Sequence, residues 1–253
     1  MHLHGHAAIV TGGASGLGAA TGQRLAGAGC RVAVLDINEA AAQASAQRIG
    51  GIGILCDVGD AGSAEAAVAK ARDTHGPARI LVNCAGIGTA GRIVGRDGPM
   101  PLAAFERVIR INLIGTFNLL RLAAADMAQL DPLEDGERGV VVNTASIAAY
   151  DGQVGQPAYA ASKAGVVGMT LPAARELARV GIRVVTIAPG LFQTPMVEAL
   201  PPEVQQGLAA SIPFPQRLGT AEEYAALVEH IANNRFINGE TIRLDGALRM
   251  PPR

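Results

Sequence analysis

Short apolar runs alternate with alanine-rich segments of helical length along nearly the whole chain, and this alternation limits the possible folds more than any other feature. The runs are HAAIVTG, RVAVLD, GIGILCDV, ARILVNCAG, GVVVNTAS, IRVVTIAPG and GETIRLDG. Most are rich in β-branched residues and of strand length. The segments between them include Leu17–Ala28, Ala61–Thr74, Phe105–Gln129, Ala158–Val180 and Ala221–Asn234. Strands that alternate with helices predict an α/β fold: a doubly wound parallel sheet with right-handed crossovers and helices on both faces.

Length and charge fit one soluble domain over residues 1–253. No repeat or linker divides the chain, and 49% of its residues are hydrophobic. The net charge of −1 creates no strong field that would attract nucleic acid or an anionic membrane. No uninterrupted apolar run approaches the roughly 20 residues that span a bilayer. We therefore expect an intracellular protein that binds neither nucleic acid nor membrane.

Two segments interrupt the alternation. Gly86–Pro101 is rich in glycine and proline and predicts a loop. Pro189–Arg217 is long and apolar and follows a strand, and open α/β sheets bind ligands at that end of their strands. We predict that residues 189–217 form a substrate-covering loop, although the same residues would also suit internal packing or a subunit interface. Its apolar side chains are Leu191, Phe192, Met196, Val197, Leu200 and Leu208.

A glycine-rich turn, TGGASGLG, joins the first strand to the first helix. Glycine at positions 12, 16 and 18 allows a tight turn and a close approach of the backbone to a pyrophosphate, which the following helix N-terminus would attract. Asp36 ends the second strand, where a carboxylate can accept hydrogen bonds from both ribose hydroxyls and repel a 2′-phosphate. The pattern predicts binding of NAD rather than NADP, although a glycine turn and an aspartate also occur as plain turn and capping residues.

The chain has only two lysines, Lys70 and Lys163. Lys163 follows Tyr159 by four residues, about one helical turn. Both side chains of that pair therefore lie on one helix face. A free tyrosine has a pKa near 10, and a nearby ammonium lowers that pKa, so Tyr159 becomes a usable general acid or base. Ser146 ends the strand GVVVNTAS, where its hydroxyl can hold a substrate carbonyl oxygen beside Tyr159.

Taken together, these residues resemble the short-chain dehydrogenase/reductase family over essentially the whole chain. The resemblance rests on the order and spacing of TGGASGLG, Asp57, Asn83-Cys84-Ala85-Gly86, Asn112, Ser146, Tyr159-x-x-x-Lys163 and Pro189-Gly190. It implies a single-domain Rossmann fold with seven strands, and an oxidoreductase that transfers a hydride between NAD and a secondary alcohol or ketone. It implies no metal.

The resemblance also implies a role for each matching residue. Tyr159 exchanges the proton with the substrate oxygen, Ser146 positions that oxygen, and Lys163 binds the nicotinamide ribose and lowers the tyrosine pKa. Asn112 holds a water that links Lys163 to solvent. Gln156 joins Ser146 and Tyr159 on the substrate side. The residues implied in cofactor binding are Gly12, Ser15, Gly16, Leu17, Gly18, Asp36, Asp57, Val58, Cys84, Tyr159, Lys163, Phe192 and Thr194. Cys84 departs from the wider family, in which asparagine is more usual.

Longer stretches are similar to a subgroup of that family, the type 2 3-hydroxyacyl-CoA dehydrogenases. They are RGVVVNTASIAAYDGQVGQPAYAASKAGVVGMTLPAARELA, IAPGLFQTPM, IPFPQRLG and NGETIRLDGALRM. The subgroup implies short or branched 3-hydroxyacyl-CoA substrates, fatty acid metabolism and a homotetramer. With no targeting segment visible at the N-terminus, we expect a bacterial cytoplasmic member.

Three other functions stay open at this point. A hydroxysteroid dehydrogenase would also suit the apolar loop. A 3-oxoacyl carrier-protein reductase usually prefers NADP, which Asp36 disfavours. A non-catalytic NAD-binding sensor typically loses the tyrosine or the lysine, and this chain has both.

Overall fold

The computed structural model describes residues 1–96, 98–194, 197 and 201–252. Its strands are β1 (Ala7–Thr11), β2 (Arg31–Asp36), β3 (Ile52–Leu55), β4 (Ile80–Asn83), β5 (Val94–Gly95), β6 (Gly98–Pro99), β7 (Gly139–Thr144), β8 (Ile182–Pro189) and β9 (Thr241–Leu244). Its α-helices are α1 (Gly16–Gly27), α2 (Glu39–Arg48), α3 (Ala61–His75), α4 (Leu102–Ile109), α5 (Gly115–Ala128), α6 (Pro157–Ala178), α7 (Pro202–Ala210) and α8 (Ala221–Asn233). A turn of π-helix (Arg110–Ile114) joins α4 to α5, and short 3-10 turns occur at Glu134–Gly136 and Ile147–Ala149.

Seven parallel strands form one sheet in the order β3-β2-β1-β4-β7-β8-β9. The chain builds outward from β1 to β3, then returns to the other side of β1 and continues from β4 to β9. The strands β1, β4, β7 and β8 are buried along their whole length, because apolar clusters cover both sheet faces. The predicted single-domain, doubly wound α/β fold with seven strands is confirmed. The direction of winding reverses between β1 and β4, which is where such sheets bind ligands.

The segment predicted as one helix over Phe105–Gln129 is continuous from Leu102 to Ala128 but contains the π turn. By length and composition alone this 27-residue stretch could cross a membrane, and half of its most apolar window is buried inside the protein. It packs against α3, α6, β4, β7 and β8 as a core helix does. Its charged residues, such as Glu106 and Arg110, interrupt the apolar run, so the sequence pattern did not mark it as a candidate span.

Both irregular segments contain short regular elements that their composition did not indicate. The β5–β6 hairpin lies within the predicted loop Gly86–Pro101, and α7 lies within the predicted substrate-covering loop. At the far end of that loop, Gln193 donates its backbone N–H to Gly219, and Gly219 donates to Leu191, which ties both loop ends together. Met196 and Leu200, two of its predicted apolar side chains, lie outside the described residues.

Candidate active site

A cavity of about 1090 Å³ opens at the carboxyl end of the sheet, above the point where β1 and β4 separate. Its walls come from the segments that follow β1, β2, β3, β4, β7 and β8. Every residue predicted for catalysis or binding lines this cavity except Asn112. These lining residues are Gly12, Ser15, Gly16, Leu17, Gly18, Asp36, Asp57, Val58, Cys84, Ser146, Gln156, Tyr159, Lys163, Phe192 and Thr194.

The glycine-rich turn after β1 has no room for larger residues. A Cβ at Gly12 would lie 2.8 Å from the Ala85 nitrogen, and a Cβ at Gly18 would lie 2.2 Å from the Gly12 carbonyl oxygen. Gly12 and Gly16 also have positive φ angles of 62° and 52°, which glycine adopts without strain. Ser15 is the N-cap of α1, and its side chain makes no capping hydrogen bond. The turn therefore presents the open N-terminus of α1 to the cavity, as an anion site requires.

We expect Gly18→Ala to displace this turn, because the new methyl group collides with the Gly12 backbone. Dissociation constants for NADH should rise about 10-fold or more, as expected when a donor cradle moves by a fraction of an ångström. Fluorescence titration with NADH measures the effect. Gly27→Ala in the same helix is the matched control, since nothing lies within 4 Å of its Cβ position. Equal NADH affinity in the two variants would contradict the prediction.

Asp36 braces the glycine-rich turn from the end of β2. Its Oδ2 accepts the Ala14 N–H at 3.2 Å and its Oδ1 accepts the Asn38 N–H at 3.0 Å. The residue is half-buried and lines the cavity. Because each carboxylate oxygen can accept more than one hydrogen bond, the two backbone bonds leave acceptor capacity for a diol in the cavity. Asp36 is thus a turn-bracing residue and a candidate ribose ligand together.

Tyr159 and Lys163 project from the first turns of α6, which begins with Pro157 at a favourable helix-start position. The Lys163 ammonium lies 5.8 Å from the centre of the Tyr159 ring and donates a hydrogen bond of 2.8 Å to the Thr144 carbonyl oxygen. Ser146 caps the short 3-10 turn after β7, where its Oγ accepts the Ala148 N–H at 3.1 Å. Its side chain lies close enough to the Tyr159 hydroxyl to lower the pKa of that phenol. The cavity thus holds two hydroxyls and one ammonium at one end.

Burial is the largest cause of the pKa shifts of both Tyr159 and Lys163. Desolvation raises the pKa of Tyr159, and the nearby Ser146 side chain only partly opposes that change. Desolvation also lowers the pKa of Lys163 to about 8. The net shift of the Tyr159 pKa is therefore opposite to the lowering that the sequence analysis expected, because desolvation has the largest effect. The ammonium is directed at the Thr144 carbonyl oxygen and not at the phenol, and burial keeps the phenol in its neutral, proton-donating form.

Asn112 lies at the centre of the π turn, completely buried and outside the cavity lining. Its Oδ1 accepts the Ile87 N–H at 2.8 Å, and its Nδ2 donates to the Ile87 carbonyl and to Ser162 Oγ, both at 3.0 Å. The Asn112 carbonyl accepts the Thr116 hydroxyl at 2.7 Å. In the structure Asn112 clamps the loop after β4 to α6. π turns occur frequently at functional sites.

Known proteins are similar to this chain over nearly its whole length. The family model described as short chain dehydrogenase matches residues 6–205. The chain belongs to this family. Over 254 residues it is 50% identical to 3-hydroxyacyl-CoA dehydrogenase type-2 of Bos taurus, covering 99% of this chain and 97% of that one. The Drosophila melanogaster protein of the same name is 52% identical over 248 residues, with 96% and 97% covered.

A solved structure of a protein with the same name is also similar to this chain. The crystal structure of 3-hydroxyacyl-CoA dehydrogenase type-2 from Mycobacterium avium is similar with a TM-score of 0.94 and 46% sequence identity, covering 98% of each chain. The short-chain dehydrogenase described here is therefore an oxidoreductase enzyme, and membership of the family implies a nicotinamide cofactor.

The cavity of this dehydrogenase fits a dinucleotide. The turn at Gly12 and Gly18 packs too closely on neighbouring backbone for any Cβ, α1 presents its N-terminus, and Asp36 offers acceptors for a ribose diol. Asp57 and Val58 lie beyond Asp36 along the same wall. In the part of the chain that the structure describes, no group of three or more His, Cys, Asp or Glu side chains is arranged to hold a metal ion.

Several lining residues of the cavity escaped the sequence analysis. They include Ile37, Arg107, Arg110, Gln153 and Met250. Arg107 and Arg110 lie in the helical segment before Asn112 and follow no strand, so no strand-end signal marked them. Met250 carries no local signal. It reaches the cavity because Val154 and Gln153 bind the carbonyl oxygens of Pro252 and Pro251, which fastens the C-terminal segment beside the active site.

Proposed function

We propose that the protein is an NAD-dependent dehydrogenase that interconverts short- or branched-chain 3-hydroxyacyl-CoA and 3-oxoacyl-CoA. The observation that carries this proposal is one cavity lined by Asp36 and by the two hydroxyl-bearing side chains Ser146 and Tyr159. The similarity to relatives named 3-hydroxyacyl-CoA dehydrogenase type-2 supports the substrate class.

Tyr159 is proposed as the proton donor in the reduction of a ketone. Its raised pKa keeps the phenol protonated at neutral pH, and its hydroxyl can transfer that proton to the substrate oxygen. The Ser146 hydroxyl donates a hydrogen bond to the same oxygen, which orients the carbonyl. When bound, the nicotinamide supplies the hydride. The phenolate left on Tyr159 is stabilised by the nearby Lys163 ammonium, so the ammonium matters most after the proton has moved.

NAD is preferred over NADP in this proposal because Asp36 faces the position of the adenosine ribose. A 2′-phosphate there would meet a like charge, whereas a 2′-hydroxyl can donate a hydrogen bond to the carboxylate.

The apolar part of the cavity suits an acyl chain. Its apolar lining includes Leu191, Phe192, Ile147, Val197 and Met250. Ile147, Leu191 and Met250 belong to one apolar cluster. Phe192 is only 7% exposed and packs its ring against Gly219, so it forms a fixed wall.

The cations near the cavity differ from those the sequence indicated. Arg217, the basic residue of the substrate-covering loop, is held in a two-pronged ion pair by Glu223 at 2.7 and 2.9 Å. Arg92 and Arg96 are exposed and make no ion pair with any residue that the structure describes. Arg92 lies two positions after Ala90, which lines the cavity, and Gly91 is hydrogen-bonded to Gly155 at its rim. These two exposed guanidinium groups are the proposed partners of the CoA phosphates.

NADH consumption with acetoacetyl-CoA tests the proposed function, with NADPH in a parallel assay. We expect turnover that is faster with NADH. Absence of turnover with acyl-CoA substrates, together with turnover of sterols or other ketones, would overturn the acyl-CoA assignment and leave the family assignment intact.

The double variant Arg92→Ala, Arg96→Ala tests the CoA contact. Its KM for acetoacetyl-CoA should rise about 3- to 10-fold, the size expected for two exposed ion contacts. Its KM for the N-acetylcysteamine thioester of acetoacetate, which lacks the phosphates, should stay the same. Arg235→Ala is the control, since Arg235 pairs with Glu134 and Asp135 on the surface and does not line the cavity. Equal KM increases for both thioesters would contradict phosphate recognition.

We also infer a homotetramer. Ile114 and Phe117 are each 51% exposed beside α5, Leu171 of α6 is 44% exposed, and Phe236 near β9 is fully exposed. Ile114 and Phe117 are three positions apart on one continuous helix, so their exposed side chains share a face that can form a contact surface. Light scattering at micromolar concentration measures the assembly, and a monomer would refute it.

A further inference from the structure

Three polar side chains form a ring directly behind the cavity wall. The Thr144 hydroxyl lies 2.7 Å from the Tyr224 hydroxyl and 3.6 Å from Cys84 Sγ, and the thiol closes the ring at 3.7 Å from the Tyr224 hydroxyl. Thr144 and Cys84 line the cavity, whereas Tyr224 comes from α8 and is completely buried. Each member can donate one hydrogen bond and accept another, so the ring satisfies all three polar groups.

The hydroxyl of Tyr224 needs an explanation, because it is buried within an otherwise apolar cluster between the sheet and α8. Phenylalanine would fill the same space without the cost of desolvating a hydroxyl. Burial raises the pKa of Tyr224 well above its ordinary value, so the group stays protonated and remains a donor. Its direct hydrogen-bond partners are the two cavity-lining residues of the ring, at the end of β7 and the end of β4.

Thr144 connects this ring to the catalytic end of the cavity. Its backbone carbonyl accepts the hydrogen bond from the Lys163 ammonium at 2.8 Å, and this is the one hydrogen bond of that ammonium to the described chain. Lys163 is only 5% exposed. A buried ammonium that depends on a single acceptor is sensitive to the position of that acceptor, since charge-assisted hydrogen bonds depend on geometry.

We propose that Tyr224 is a positioning residue for Lys163. Its hydroxyl fixes the Thr144 side chain, which fixes the end of β7 and keeps the Thr144 carbonyl directed at the Lys163 ammonium. This inference rests on the proposed function, because that function gives Lys163 its part in stabilising the Tyr159 phenolate. The titratable side chains around Lys163 in this arrangement are Tyr159, Cys84 and, behind the wall, Tyr224.

The lysine content of the chain allows a direct measurement. Lys70 and Lys163 are the only two lysines, so protein labelled with ¹³C at the lysine ε carbons gives two NMR signals. The buried Lys163 should titrate near pH 8 in the unaltered protein, and exposed Lys70 serves as an internal reference. In Tyr224→Phe the Lys163 titration should move to lower pH by about half a unit or more, because its ammonium loses a well-placed acceptor. The Lys70 titration should not move.

Kinetics supply the second readout. We expect kcat with NADH and acetoacetyl-CoA to fall about 3- to 10-fold in Tyr224→Phe, the range of one buried hydrogen bond, with the KM for acetoacetyl-CoA unchanged. Thr144→Val should have the same effects, and Thr144→Ser, which keeps the hydroxyl, should stay within about twofold of the unaltered enzyme. These two variants keep the test informative if Tyr224→Phe folds poorly.

Thr186→Val is the matched structural control. It removes one hydroxyl of an equally buried hydrogen-bonded pair, Thr170 and Thr186 at 2.6 Å, which lies outside the cavity lining. It should lower the Tm without moving the Lys163 titration. If Tyr224→Phe also lowers only the Tm, leaving kcat and the Lys163 titration unchanged, the positioning role is refuted. If the unaltered protein does not reduce acetoacetyl-CoA but Lys163 still shifts in Tyr224→Phe, the proposed substrate fails and the positioning role stands.

Discussion

Tyr159→Phe should lose turnover by about 10³-fold in kcat while still folding and binding NADH, within the range that general acid catalysis contributes. The variant keeps the ring, and therefore the packing beside Lys163, but removes the only phenolic proton at the catalytic end of the cavity. The Ser146 hydroxyl remains in place and can still polarise a carbonyl oxygen. It cannot replace the tyrosine, because an alcohol is a much weaker acid than a phenol. NADH absorbance with acetoacetyl-CoA gives the rate, and NADH fluorescence confirms that binding is retained.

Tyr150→Phe provides a control of identical chemistry. Tyr150 is 48% exposed, its ring packs under the Arg243 guanidinium at 5.2 Å, and it does not line the cavity. This variant should retain nearly full activity. A Tyr159→Phe enzyme that keeps more than a tenth of the original rate would mean that another group donates the proton.

The sequence predicted the sheet and most of the cavity for the same physical reason. In a doubly wound parallel sheet, the residues that follow each strand meet at one edge. Asp36, Cys84 and Ser146 each end or follow a different strand, so their convergence follows from the topology once the strands are recognised. To predict that Tyr159 and Lys163 lie together, only the spacing of residues on one helix face is needed in addition. Local pattern and overall winding were enough to place these residues in one cavity.

Features that depend on distant contacts could not be predicted in this way. The π turn is fixed by the hydrogen bonds of Asn112 to Ile87 and Ser162, which are 25 and 50 residues away in the chain. Tyr224 reaches Thr144 across 80 residues. The raised pKa of Tyr159 depends on how deeply its ring is buried, which no local pattern reports. These features arise from side-chain packing, and packing becomes visible only when the elements are assembled.

The double substitution Asp36→Asn, Ile37→Arg should reverse the proposed preference for NAD over NADP. Removing the carboxylate removes the repulsion of a 2′-phosphate, and arginine supplies a two-pronged partner for it. Ile37 is 66% exposed and lines the cavity, so the new side chain needs no space in the core. Asparagine keeps a side-chain oxygen able to accept one of the two backbone N–H bonds, from Ala14 and Asn38, that now end on the carboxylate. The ratio of kcat/KM for NADPH to that for NADH should rise about 100-fold, which corresponds to about 2.8 kcal/mol.

The single variants separate the two causes: Asp36→Asn alone should mainly improve the use of NADPH, and Ile37→Arg alone should improve it less, because the carboxylate still opposes the phosphate. If the unaltered enzyme already uses both cofactors equally, or if Asp36→Asn leaves the ratio unchanged, the carboxylate does not select the cofactor, and its bonds to Ala14 and Asn38 are its whole role.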